Sequence, residues 1–143
     1  MGTSQWARLL VTCGNGEGGK LGLKSFNSTL WFTLCRGLLD VQIAGVSCGN
    51  GHTAAVTRCG SVFTFGQNEA HQLGRSSDLT ETPVPGEVHI HEKIVSVSAG
   101  GAFTLALSEA GVLYGVYVLI LSCRGDKLHA GEYAGLCKAL SRL

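Results

Sequence analysis

Two different strings in this chain each occur twice, at nearly the same spacing. Val46-Ser47-Cys48-Gly49-Asn50-Gly51-His52-Thr53-Ala54-Ala55-Val56-Thr57 returns 51 positions on as Val97-Ser98-Ala99-Gly100-Gly101-Ala102-Phe103-Thr104-Leu105-Ala106-Leu107-Ser108. Thr12-Cys13-Gly14-Asn15-Gly16-Glu17-Gly18-Gly19-Lys20-Leu21-Gly22 returns 52 positions on as Thr64-Phe65-Gly66-Gln67-Asn68-Glu69-Ala70-His71-Gln72-Leu73-Gly74. Self-similarity at periods of roughly 20–50 residues marks solenoids, propellers and arrays, whose units bury their apolar faces only against neighbours. The chain is therefore read as part of a stacked array. An interaction surface is a better expectation for it than a catalytic cleft.

Within the period, strand signals dominate. Thr53 to Thr57, Ser61 to Phe65, Lys93 to Ala99 and Phe103 to Ser108 are short apolar or alternating runs divided by glycine-bearing turns. Arg58-Cys59-Gly60 and Glu109-Ala110-Gly111 occupy equivalent places and read as hairpin connections whose glycine supplies φ > 0. Pro83 and Pro85 place a loop before an edge strand around Val84 to His89, because proline is tolerated at strand starts and edges. Antiparallel hairpins at this period are the mark of propeller blades. The expected fold is all-β: about two to three propeller-type blades, incomplete, with an off-pattern C-terminal tail.

Two regions resist the repeat. Leu30 to Leu39 stands where a polar, proline-bearing loop belongs, and the match decays after Tyr114. The expected divisions are a partial first repeat with its off-pattern segment (1–40), a well-matched repeat (41–92), a partial third repeat (93–117) and an off-pattern tail (118–143). The spaced alanines and leucines from Lys127 to Leu143 suggest a short helix.

Composition excludes several classes. A net charge of +1 with 15% charged residues carries no direct nucleic-acid signature and no membrane-seeking charge run. The longest apolar run, Leu113 to Leu121, is far short of the ~20 residues of a membrane span. The 21 glycines and 45% hydrophobic content suit turn-rich β structure. Six cysteines show no CxxC pair and no zinc spacing, and are read as small buried hydrophobes in a reducing compartment. The expected setting is soluble and intracellular.

Gly49-x-x-His52-Thr53, Gly60-Ser61-Val62-Phe63-Thr64-Phe65-Gly66-Gln67-Asn68 and Gln72-Leu73-Gly74 together resemble the repeat of the regulator of chromosome condensation family. Val41 to Val88 fits almost throughout, although Ala70-His71 stands where the family usually has x-Gly. The first unit keeps only Gly14 to Gly22, and the third keeps Ile94 to Tyr114 with Phe103 in place of the histidine. The resemblance implies a seven-bladed β-propeller of four-stranded blades. Its founding member is an exchange factor for the small GTPase Ran and docks on chromatin. Others exchange nucleotide on other GTPases, scaffold ubiquitin ligases and kinases, or work in mitochondria. Two or three blades leave such a ring open, so the chain is expected to be a truncated piece of a longer product.

Rival readings are weaker. Gly14 to Gly19 formally spells G-x-G-x-x-G with Asp40 about twenty residues on, as a dinucleotide site would. Yet the same element recurs at Gly66 with the later glycines replaced, which a phosphate cradle would not survive. As a blade turn, Gly16 is expected to tolerate a bulky residue at modest cost in stability. His52 reads as a neutral histidine fixing strand ends. His89 and His91 alternate along a strand and want a third ligand before they could hold metal. Glu17 and Glu69 read as caps for turn amides. Catalytic residues, metal and cofactor are therefore not expected.

The function this supports is a protein-interaction module of the regulator of chromosome condensation type, with guanine-nucleotide exchange on a small GTPase as its implied activity. The alternative is a propeller fragment without autonomous activity, with a dinucleotide-binding enzyme a remote third. The partner-binding loops would be equivalent turns on one rim: Asn15 and Glu17 in the first, Gln67, Asn68, Glu69 and His71 in the second. A protein partner is expected, with chromatin implied by the resemblance alone, in nucleus or cytoplasm, with the mitochondrion left open.

Overall fold

The computed structural model describes residues 8–75, 78–116 and 120–123. Among these residues ten strands form three antiparallel sheets. The first sheet pairs β1 (Val11–Gly14) with β2 (Thr29–Leu34). The second is a meander of β3 (Ile43–Cys48), β4 (His52–Thr57), β5 (Val62–Gln67) and β6 (Glu81–Val88). The third repeats that meander with β7 (Ile94–Ala99), β8 (Thr104–Ser108), β9 (Leu113–Val116) and β10 (Ile120–Cys123). These are propeller-type blades: two of four strands, and a first of which the described residues show the third and fourth.

The repeat is kept in backbone detail. Thr57 N–H donates to Ser61 O and Gly60 N–H to Thr57 O, while Ser108 N–H donates to Val112 O and Gly111 N–H to Ser108 O. Thr57 Oγ1 and Ser108 Oγ each accept from the amide closing the turn, Ser61 N and Val112 N, at 3.0 Å. Gly60 (φ +96°) and Gly111 (φ +79°) supply the left-handed residue that the hairpin requires.

Each blade leans on the one before. Leu10, Cys35, Leu38, Ile43, Ala55 and Phe65 make one core between the first and second sheets. Val56, Val62, Val88, Ile94 and Ala106 make the other between the second and third. Every residue of β4 is buried, since it is a central strand with a sheet on either face.

Several expectations are corrected. Leu30 to Leu39 does not leave the blade: Thr29–Leu34 is its fourth strand, and Cys35 and Leu38 enter the core. The tail from 118 is not wholly off-pattern, since Ile120–Cys123 pairs antiparallel with β9 as the blade's fourth strand. The fourth strand of the second blade starts at Glu81, ahead of both prolines. His89 and His91 fall after β6 and share no strand. Of the cysteines whose side chains are described, only Cys35 is buried; Cys13, Cys48 and Cys59 are exposed, because they point away from the two cores or sit on a hairpin tip. The helix expected over Lys127 to Leu143 lies outside the described residues.

Candidate functional site: the rim of the blade connections

The third and fourth strands of the first two blades are joined by long connections, residues 15–28 and 68–80. In an antiparallel meander both leave from the same end of the sheet as the first hairpin turn, so they crown one rim together with Gly49–Gly51. In the third blade only residues 117–119 separate the corresponding strands.

The two connections share one internal frame. Gly19 N–H donates to Gly16 O and Gly22 N–H to Gly19 O, matched by His71 to Asn68 and Gly74 to His71. Thr12 Oγ1 donates to Leu21 O at 2.8 Å, and Thr64 Oγ1 to Leu73 O at 2.7 Å. Gly19 (φ +78°) is answered by His71 at φ +55°, a left-handed conformation uncommon for a residue with a Cβ.

Side chains of the two turns divide into presented and spent. Asn15, Glu17, Glu69 and His71 are exposed. Asn15 Oδ1 accepts from Glu17 N–H at 2.7 Å, and Gln72 Oε1 accepts from Ala70 N–H at 2.9 Å. Amides, rather than the glutamates, therefore do the capping. Asn68 is 3% exposed: Nδ2 donates to Leu79 O at 3.0 Å and Oδ1 accepts from Leu73 N–H at 3.2 Å. Gln67 is half-buried, with its side chain between Gly18 of the first blade and Gly51 of its own.

Beneath the rim lies a latch that sequence reasoning missed. Thr53 Oγ1 donates to Lys20 O at 2.8 Å, and Thr104 Oγ1 donates to Gln72 O at 2.9 Å. Each blade thus fastens its second strand to the preceding blade's connection. His52, wholly buried, completes the second latch with Nε2 2.8 Å from Thr104 Oγ1. Thr104 spends its one proton on Gln72 O, so Nε2 carries the imidazole hydrogen and donates. Burial pushes the His52 pKa below its ordinary 6.5, against a smaller opposing pull from the Phe103 backbone, and keeps the ring neutral. The recurring threonine at 53 and 104 was the available signal. What it bonds to could not be read from the chain, because both acceptors are backbone oxygens in another blade.

The glycines of the G-x-G-x-x-G string are used for packing. A Cβ at Gly16 would run into the Asn27 carbonyl, one at Gly18 into Gln67, and one at Gly19 into Pro83. The turn continues as a 3-10 turn of three residues, Glu17–Gly19, not as the helix whose N-terminus would face a pyrophosphate. The packing at Gly16 also overturns the expected tolerance there: a side chain meets backbone, which cannot swing away.

An apolar cleft of about 360 Å³ opens between β1 and the second blade, lined by Leu10, Cys13, Leu21, Val46, Cys48 and Thr53 among others. Among the described residues no group of three or more His, Cys, Asp or Glu could hold a metal, and no helix is long and apolar enough to cross a membrane.

Comparison with known proteins agrees with this geometry. Models of the regulator of chromosome condensation (RCC1) repeat match residues 59–107 and 43–72. The chain is 38% identical over 108 residues to the mouse regulator of chromosome condensation, covering 74% of this chain and 25% of that protein. It is 34% identical over 106 residues to the bovine secretion-regulating guanine nucleotide exchange factor, covering 73% of this chain and 23% of that one. The chain therefore spans about a quarter of the length of these relatives. Among solved structures, human WBSCR16 superposes with a TM-score of 0.73 at 26% identity, over 86% of this chain and 31% of that one. Prp20p of Saccharomyces cerevisiae, studied for its binding to Gsp1p and histones, superposes with a TM-score of 0.69 at 23% identity, over 76% and 28%. With its blades, its repeated turn frame and these matches taken together, the chain belongs to the regulator of chromosome condensation repeat family.

Proposed function

We propose that this chain is a protein-interaction module whose docking surface is the rim of connections 15–28 and 68–80, and that its partner is a small GTPase whose nucleotide exchange it promotes. The observation that carries the reading is the exposure of Asn15, Glu17, Glu69 and His71 on two turns of matching backbone frame, each fastened by a threonine to the second strand of the following blade. Exchange of this kind needs no acid or base from the protein. A surface that binds the nucleotide-free GTPase more tightly than the loaded one lowers nucleotide affinity by the same factor. The exchange-factor relatives support the activity, and the relatives named for chromosome condensation make chromatin a second candidate partner in an intracellular setting.

The test is release of a fluorescent guanine nucleotide from a panel of small GTPases, with and without the chain. Acceleration on one of them, lost in a Glu17→Lys, Glu69→Lys variant of unchanged melting temperature, supports the reading; no binding to any overturns it. A second reading, a fragment without autonomous activity, is favoured by the first sheet showing two strands among the described residues. A cooperatively folded chain that accelerates none of the GTPases would establish that alternative.

A further inference from the structure

Asn-Gly occurs twice on this rim, at Asn15-Gly16 and Asn50-Gly51. The pair carries a reaction of its own. The backbone nitrogen after an asparagine attacks the side-chain carbonyl carbon, and glycine hinders that approach least. The N–Cγ bond forms as the Cγ–Nδ2 bond breaks, and Nδ2 leaves as ammonia with the backbone proton. Water then opens the succinimide to aspartate or isoaspartate. The step requires a side chain free to turn and an attacking N–H that no acceptor holds.

The structure treats the two pairs differently. Asn15 Oδ1 accepts from Glu17 N–H at 2.7 Å, and Gly16 N–H donates to Ser28 Oγ at 3.1 Å. Both participants are engaged. At the second pair, nothing among the described residues accepts from Gly51 N–H or bonds the Asn50 side chain. Neither residue has the positive φ with which Asn-Gly commonly builds a hairpin turn. Gly51 is needed for space instead, since a Cβ there would run into the Gln67 side chain.

A neighbouring blade on either side leaves this position open. Gly101 holds the equivalent place in the third blade, has the second blade before it, and is exposed. Asn50 has the third blade after it and is exposed as well. The contact made there is a backbone one: Asn50 N–H donates to Gly100 O at 3.4 Å, with Nδ2 lying against Gly101.

We propose that Asn50 is a site of spontaneous deamidation through Gly51, and that the product loosens the contact between the second and third blades. Conversion replaces Nδ2, a donor, with a charged acceptor beside Gly101. Isoaspartate also adds a carbon to the backbone within the turn, displacing the N–H that reaches Gly100 O. The third blade lacks this chemistry, because Gly101 has no side chain to convert.

The full 143-residue chain is held in mildly alkaline buffer and sampled over time, with a second portion held in urea. Digestion at acidic pH and mass spectrometry follow the amide-to-acid mass gain in the Asn15 and Asn50 peptides. Methyl transfer by isoaspartyl methyltransferase labels the isoaspartate. Two hydrogen bonds guard the first pair and none the second, so Asn50 should convert roughly tenfold faster or more in plain buffer. In urea the two rates should converge. Asn50→Gln should remove the fast conversion and leave that of Asn15 unchanged. The converted chain, separated by its added negative charge, should melt below the fresh one. Equal conversion of Asn15 and Asn50 in plain buffer overturns the proposal, as does an Asn50 that converts only in urea. A converted chain that melts like the fresh one overturns the loosening of the blade contact.

Discussion

His52 and Phe103 occupy the same place in successive blades, and only one of them titrates. In the folded chain His52 is neutral and donates to Thr104 Oγ1; in the unfolded chain it takes up a proton near pH 6.5. Its folded pKa lies below the unfolded value, so between the two the unfolded state binds more protons. Stability is therefore full above pH 6.5, falls as pH drops through it, and levels off below the folded pKa. His52→Phe should remove that slope, measured as melting temperature against pH, while costing about 1 kcal/mol for the lost hydrogen bond. Thr104→Val is predicted to cost more, about 2–4 kcal/mol, because it leaves both the His52 N–H and Gln72 O buried and unmet. Among the thiols, Cys59 is exposed and its pKa is lowered by the Thr57 hydroxyl 3.0 Å away, whereas burial raises that of Cys35. Of these two, timed alkylation read by mass spectrometry should label Cys59 early and Cys35 only on unfolding. A neutral His52 fixing strand ends was legible from the sequence; that its partner is Thr104, across a blade boundary, was not.

At the level of elements, the interfaces between sheets hold the array together. Ile94 is 2% exposed and packs with Val56, Val62, Val88 and Ala106. Ile94→Ala should lower stability by roughly 2–5 kcal/mol in urea titration, the usual cost of truncating a core aliphatic. The connections add a second kind of fastening. Gly19 must be left-handed and its α-carbon lies against the backbone of Pro83, so Gly19→Ala meets both strain and a clash. It should destabilise well beyond Gly111→Ala, where φ is +79° but the space around the Cβ is open. The hairpins and their glycines were readable in the sequence, because turn chemistry is local. The fourth strand of the first blade was not. Thr29–Leu34 has none of the prolines or charges of Glu81–Val88, and only pairing with β1 makes it the same element.

In a repeat array stability is set by each unit and its interfaces with its neighbours, so stability should grade along this chain. The second blade is covered on both faces, and β4 is buried throughout. Hydrogen exchange should find the slowest amides in β4 and β5, and faster exchange in β1 and β2, whose sheet offers two strands. Period, strand type, hairpin turns and family were determined by the sequence alone, because a repeated string folds into a repeated unit and its glycines and β-branched residues act over a few positions. Which side chains are presented and which are spent was decided only by the tertiary structure. Asn68 and Glu69 are neighbours in one turn, yet one amide is consumed by Leu79 and Leu73 while the other side chain faces solvent. The threonine latch has the same origin: it depends on which blade lies against which, a contact between residues far apart in the chain.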